Sequence, residues 1–182
     1  MSHIPTPATI DAAPEASRPM LEAIRKQLGS VPNVFRMMSN SPAVLEAYTG
    51  MSGALGKGVL DAATRERIAL AVGQLNGCHY CVSAHSMIAK NVAKLDADEI
   101  HANRRGISND ARADAAVRFA VKIVQARGGV KPSDIDAVKA AGYSDAEVVE
   151  IVGHVAFATL TNYLNEVLGT DLDFPPAAAL NA

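Results

Sequence analysis

Apolar residues recur at three- and four-residue intervals along almost the whole chain, and nowhere do they alternate in twos between hairpin turns. That periodicity turns one face of each segment toward a core as helix and leaves nothing that reads as a strand, so an all-α fold is expected. Punctuation divides the pattern. Met20, Leu21, Ile24 and Leu28 mark a helix over 18–28 that Gly29 stops, a short turn covers 34–38, and Ser41 with Pro42 opens a helix reaching about Leu55. Asp61 caps the next, with Ile68, Val72 and Leu75 in one stripe and Asn76-Gly77 at its end. From Cys78 to about Lys94 a further helix places Cys78, Cys81, Val82, His85, Ile88, Ala89 and Val92 on one side, with Ser83, Ser86 and Lys90 off it. Short helices over 96–103 and 133–141 flank a strong one over 108–127. Ser144 then caps a long helix through Leu168, whose Val148, Ile151, Val152, Val155, Leu160, Tyr163, Leu164 and Val167 are expected to face inward.

At 182 residues the chain is sized for one core, with an extended N-terminal arm over 1–19, a helical body over 20–170 and a tail over 171–182. The arm carries four prolines, which forbid a continuous helix, and Pro175-Pro176 stops the tail from prolonging the last one. Apolar residues in both extensions lack an element of their own to pack on, so a second copy of the chain is expected to supply it. Sliding the chain by about 83 residues pairs Ile68 with Ile151, Val72 with Val155 and Tyr80 with Tyr163, the pattern of an internal two-fold repeat of helices. Net charge is −2 and the isoelectric point about 6.2, which offers no basic surface to nucleic acid or anionic lipid. No secretory apolar core and no membrane-spanning run is visible, so a cytoplasmic location is expected.

Reactive groups concentrate in one place, Cys78-His79-Tyr80-Cys81 followed by His85, with Glu66 on the preceding helix. Cysteines three apart share a helix face, and in a first turn they feel the positive end of the helix dipole, which favours thiolates. His85 lies one turn beyond Cys81 and can take its proton. Glu66, in register with Ala69, Leu70 and Gly73, is costly to bury unless paired and is placed to orient that histidine. These residues read as orienter, base, nucleophile and resolving thiol. The same cysteines would also serve a thiol–disulfide oxidoreductase or redox sensor, or, with His85 and either Glu66 or His154, a zinc module. His154 otherwise reads as a core histidine, and Asn162 as a weaker site neighbour beside Tyr163. Met37, Met38 and Met87 read as core or interface filling, and Asp96, Asp98, Glu99, Arg104 and Arg105 as solvated helix ends. No cofactor is expected.

The run Glu66, eleven residues, Cys78-His79-Tyr80-Cys81, three residues, His85 resembles the motif of the AhpD-like (alkylhydroperoxidase D) branch of the carboxymuconolactone decarboxylase superfamily. The stretches Val31-Pro32-Asn33-Val34-Phe35-Arg36 and Tyr163-Leu164-Asn165 to Asp173-Phe174-Pro175 are similar to its peroxidase-related members, so the likeness spans most of 30–176. The resemblance implies an AhpD-like helical fold, reduction of hydroperoxides at the expense of a thiol or dithiol reductant, and assembly into dimers, trimers or hexamers. It also implies a peroxidatic Cys81, a resolving Cys78, and a proton relay of Glu66 and His85 through a water. The superfamily's other chemistry, lactone decarboxylation, makes no use of a cysteine pair. One departure stands out: the family prototype has a histidine directly before the second cysteine, where this chain has Tyr80, with His79 one place earlier.

Overall fold

A computed structural model describes residues 2–180. After a single 3-10 turn at Glu15–Ser17 come nine α-helices among the described residues. They are α1 (Arg18–Leu28), α2 (Asn33–Met38), α3 (Pro42–Leu55), α4 (Ala62–Leu75), α5 (His79–Asn91), α6 (Ala97–Arg104), α7 (Ala111–Gln125), α8 (Pro132–Ala140) and α9 (Asp145–Leu168). No strand occurs among these residues. Side-chain caps define the starts: Ser41, Asp61, Asp96, Asp110 and Ser144 each accept a backbone N–H from the first turn. The strong helix therefore begins after Asp110 rather than at Ser108, because the aspartate takes the Ala113 N–H at 2.8 Å.

Helix α4 is the central element, with α5, α6, α7 and α9 packed around it. Ile68 and Val72 on α4 meet Ile151 and Val155 on α9 in one apolar cluster that also holds Ala116, Phe119 and Ala120 of α7. A second cluster joins Leu21 and Ile24 of α1, Val34 and Met38 of α2, Leu45 of α3 and Tyr80 of α5 around the two cysteines. Met37 and Met38, read as core or interface filling, are buried in the core.

Both extensions lie on the body of their own chain. The His3 N–H donates to the Leu168 carbonyl, and Arg36 and Asn40 donate to the carbonyls of Pro7, Ala8 and Pro5. In the tail, Asp173 accepts the Asn33 N–H at 2.7 Å, Ala177 N–H donates to Ser83 Oγ, and Arg104 donates to the Ala178 carbonyl. The arm and tail thus have partners within the protomer, and the need for a second copy does not follow from them. Ser83, expected off the apolar side, is buried because the tail covers it.

Three other expectations change. On α9, Val152, Leu160, Tyr163 and Val167 are exposed, and so is Val92 at the end of α5. Helix α9 carries apolar residues on more than one face, and its Val148, Ile151 and Val155 edge took the core. Glu99 and Arg104 are not solvated ends. The Glu99 carboxylate, its side chain 7% exposed, accepts from Arg67 Nε at 2.6 Å, Ser108 Oγ at 2.5 Å, Asn103 Nδ2 at 2.9 Å and Asn109 N–H at 2.8 Å. Arg104, also buried, donates to Gln74.

Burial alone would raise the Glu99 pKa, but these four donors outweigh it and hold the carboxyl down at about 2. A depressed folded-state pKa adds stability that is complete above the ordinary carboxylate range and is lost as pH falls from about 4.5 toward about 2, roughly 3 kcal/mol in all. Glu99→Gln is therefore expected to cost roughly 3 kcal/mol at neutral pH, lowering the melting midpoint by about 10 °C and flattening the acid limb. Thermal melts across the acid range check it; an unchanged midpoint at neutral pH would contradict it.

Candidate active site

Asn76 ends α4, Gly77 turns the chain at φ +72°, and Cys78 becomes the N-cap of α5. Gly77 suits that turn because L side chains rarely adopt this conformation. The Cys78 N–H donates back to the Gly73 carbonyl at 2.9 Å, which ties the start of α5 to the end of α4. Cys78 Sγ accepts the Cys81 N–H at 3.2 Å, so a sulfur does the capping that serine or aspartate does elsewhere in this chain. The two sulfurs lie within disulfide distance, with Cα atoms 5.3 Å apart and both residues buried. They occupy the first turn of a 13-residue helix, where unpaired N–H groups and the dipole favour a negative sulfur.

Two turns into α5, His85 Nδ1 meets Glu66 Oε2 at 2.8 Å, with side chains 29% and 19% exposed. Burial pulls the imidazole pKa down, and the Glu66 carboxylate, through its charge and its hydrogen bond, more than reverses this, so the net shift is upward. With Nδ1–H donating to Glu66, the free Nε2 of the neutral ring is an acceptor, the tautomer a general base needs. His85 makes no direct hydrogen bond to either sulfur among the described residues, so a proton passing between them needs an intervening water.

The structure brings together Cys78 with Cys81 and Glu66 with His85, all within the α4–α5 pair. His79 is exposed and lines a cavity of about 300 Å³ together with His3, Tyr80, Asn165, Glu166 and Thr170. Tyr80 is structural: its hydroxyl accepts the Val34 N–H at 3.2 Å, its ring packs edge-on against Phe174, and burial pushes its phenol pKa far up. Two of the motifs that carried the family resemblance therefore meet on this tyrosine. His154 makes no hydrogen bond to either sulfur among the described residues. Burial, then the Arg65 charge, holds its pKa down, and its buried Nε2 has no hydrogen-bond partner among the described residues. Asn162 is buried and accepts from Asn76 Nδ2 at 2.9 Å, fastening α9 to the turn that precedes Cys78.

Asn165 is the contact that sequence reasoning missed as a site residue. Its Nδ2 donates to Cys81 Sγ at 3.3 Å. The available signal was a pair of amides, Asn162 and Asn165, one turn apart in the C-terminal half of α9. Among the described residues, no three His, Cys, Asp or Glu side chains converge as a metal site. No described helix is long and apolar enough to cross a membrane.

Residues 42–126 match the model of the carboxymuconolactone decarboxylase family. An uncharacterized peroxidase-related protein from Ralstonia eutropha JMP134, whose crystal structure is described as an alkylhydroperoxidase AhpD core, superposes with TM-score 0.84 at 30% identity over 94% of this chain and 92% of that one. A second uncharacterized peroxidase-related protein, from Silicibacter sp. TM1040, gives TM-score 0.80 at 25% identity over 97% and 92%. The debrominase Bmp8 shares the fold, with TM-score 0.77 at 22% identity over 95% and 94%. A 46-residue stretch is 50% identical to a curated uncharacterized protein of Haemophilus influenzae, spanning 25% of this chain and 41% of that protein.

Proposed function

Because this chain belongs to the carboxymuconolactone decarboxylase family, among its AhpD-like, peroxidase-related members, we propose that it is a thiol peroxidase that reduces organic hydroperoxides by cycling Cys78 and Cys81 between dithiol and disulfide. The observation that carries this reading is the pair of sulfurs at disulfide distance at the start of α5, with His85, paired to Glu66 of α4, one turn beyond Cys81. In the forward step the Cys81 thiolate attacks the terminal oxygen of ROOH, the O–O bond breaks, and RO⁻ leaves as ROH with a proton delivered from His85 through water. Cys81 becomes a sulfenic acid. The Cys78 thiolate then attacks that sulfur, an S–S bond forms, and the hydroxyl departs as water. Two electrons have passed from the dithiol to the peroxide, and an external thiol or dithiol, as a reducing cytoplasm supplies, returns them. Steady consumption of cumene hydroperoxide in the presence of a dithiol is the expected result; turnover of a lactone or a bromopyrrole with none of the hydroperoxide would reject the reading.

A homo-oligomer is part of this proposal, on a different ground from the one the extensions suggested. Val149, Val152, Ala156, Leu160, Tyr163 and Val167 form an exposed apolar stripe at spacings of three and four along α9, about 27 Å long. A second copy presenting the same stripe covers it with matching periodicity. Light scattering is expected to give a multiple of 19.0 kDa for the native chain, and a monomer for the Tyr163→Glu, Val167→Glu double variant. A native monomer at micromolar concentration would contradict this.

A further inference from the structure

The two sulfurs have different hydrogen-bond donors. Cys78 Sγ accepts a backbone N–H, that of Cys81, which no side-chain substitution removes. Cys81 Sγ accepts from a side chain on another helix, Asn165 Nδ2 at 3.3 Å, 84 residues along the chain. Asn165 is 3% exposed, and its Oδ1 is buried without a hydrogen-bond partner among the described residues. Leaving that carbonyl unpaired is costly, so something must favour turning the NH₂ rather than the oxygen toward the sulfur. The sulfur itself does. A disulfide sulfur or a thiolate has no hydrogen to give and can only accept.

We propose that Asn165 is a positioning residue that stabilises Cys81 as a thiolate by donating this hydrogen bond, and so makes Cys81 rather than Cys78 the attacking sulfur. The proposal rests on the thiol-peroxidase reading for its consequence, not for its measurement. A hydrogen bond to a charged group in a buried site is among the stronger ones, and it strengthens as charge develops on the sulfur it touches. His85 then has to remove the proton from a thiol already made more acidic by the dipole of α5 and by the amide. The neighbouring Asn162 is fastened through its Oδ1 to Asn76 Nδ2, and among the described residues the side-chain amide bonded to Cys81 Sγ is that of Asn165. Asn165 also lines the cavity shared with His79, Tyr80 and Thr170.

The test is titration of single thiols by the ultraviolet absorbance of the thiolate. In a Cys78→Ser background, Asn165→Ala is expected to raise the Cys81 pKa by about one unit, a fall of about tenfold in thiolate at neutral pH. Asn165→Asp, the same shape with no donor when ionised, is expected to raise it at least as far, and Asn165→Ser, which keeps a donor, to recover part of the loss. In a Cys81→Ser background the same substitutions are expected to leave the Cys78 titration unmoved. If the aspartate variant does not fold, the alanine and serine pair still decides. An unmoved Cys81 titration, or an equal shift of both thiols, would overturn the proposal. Peroxide consumption measured on the native chain separates the two readings, since its absence rejects the peroxidase while the titration still judges Asn165.

Discussion

Cys81→Ser protein is expected to leave hydroperoxide untouched, its rate down by at least about 10³-fold, whereas Cys78→Ser protein turns over once and stops as a sulfenic acid. The asymmetry follows from placement. Cys81 sits at the third position of α5, accepts the Asn165 amide and shares its helix face with His85 one turn on. Cys78 is the N-cap, held by the Cys81 N–H and the close-packed α4–α5 turn, where it is placed to condense with its neighbour. With one sulfur per variant, a dimedone-type probe reports which residue carries oxygen. Labelling of Cys78 in the Cys81→Ser protein, with none of Cys81 in the other, would reverse the assignment.

Glu66→Gln is expected to slow peroxide reduction by roughly 10²-fold and also to move its pH dependence toward acid, with His85→Ala matching the loss of rate. The base form of His85 is the neutral ring, so the rate of the native chain rises with pH through an imidazole pKa that lies above its ordinary value of 6.5. Burial acts to lower that pKa, and the Glu66 charge and hydrogen bond act to raise it. Removing the charge leaves burial dominant, so the inflection falls below 6.5. Stability moves in the corresponding direction. A raised folded-state pKa contributes stability that is complete below 6.5 and is lost as pH rises through the folded value, so the penalty of Glu66→Gln is expected to shrink toward alkaline pH. Rate profiles of both variants check this; an inflection that stays in place in Glu66→Gln would separate Glu66 from the base.

What the sequence made legible was local. The caps Ser41, Asp61 and Ser144 and the stops at Gly29 and Asn76-Gly77 lie within a turn of the elements they bound, and the structure has them there. Cys78, Cys81 and His85 share one helix, so spacing alone puts them on one side, and Glu66 lies on the helix directly before it. What stayed hidden depended on packing between distant segments. Asn165 reaches Cys81 only because α9 crosses α5, and the tail covers Ser83 only after folding back over 94 residues of chain. Glu99 looked like a solvated helix start, since its partners Arg67 and Ser108 come from α4 and from the loop before α7. On α9 the apolar residues run round more of the helix than one core can use, and periodicity does not say which edge is buried.

The central claim is that hydroperoxide oxidises this pair of sulfurs to one intramolecular disulfide. Fully reduced protein should be mixed with one equivalent of cumene hydroperoxide, the loss of thiols followed in time, and the disulfide mapped by peptide mass. The account predicts loss of two thiols per peroxide consumed and a single bridge between Cys78 and Cys81; thiols that persist while peroxide remains, or a bridge formed only between chains, would contradict it.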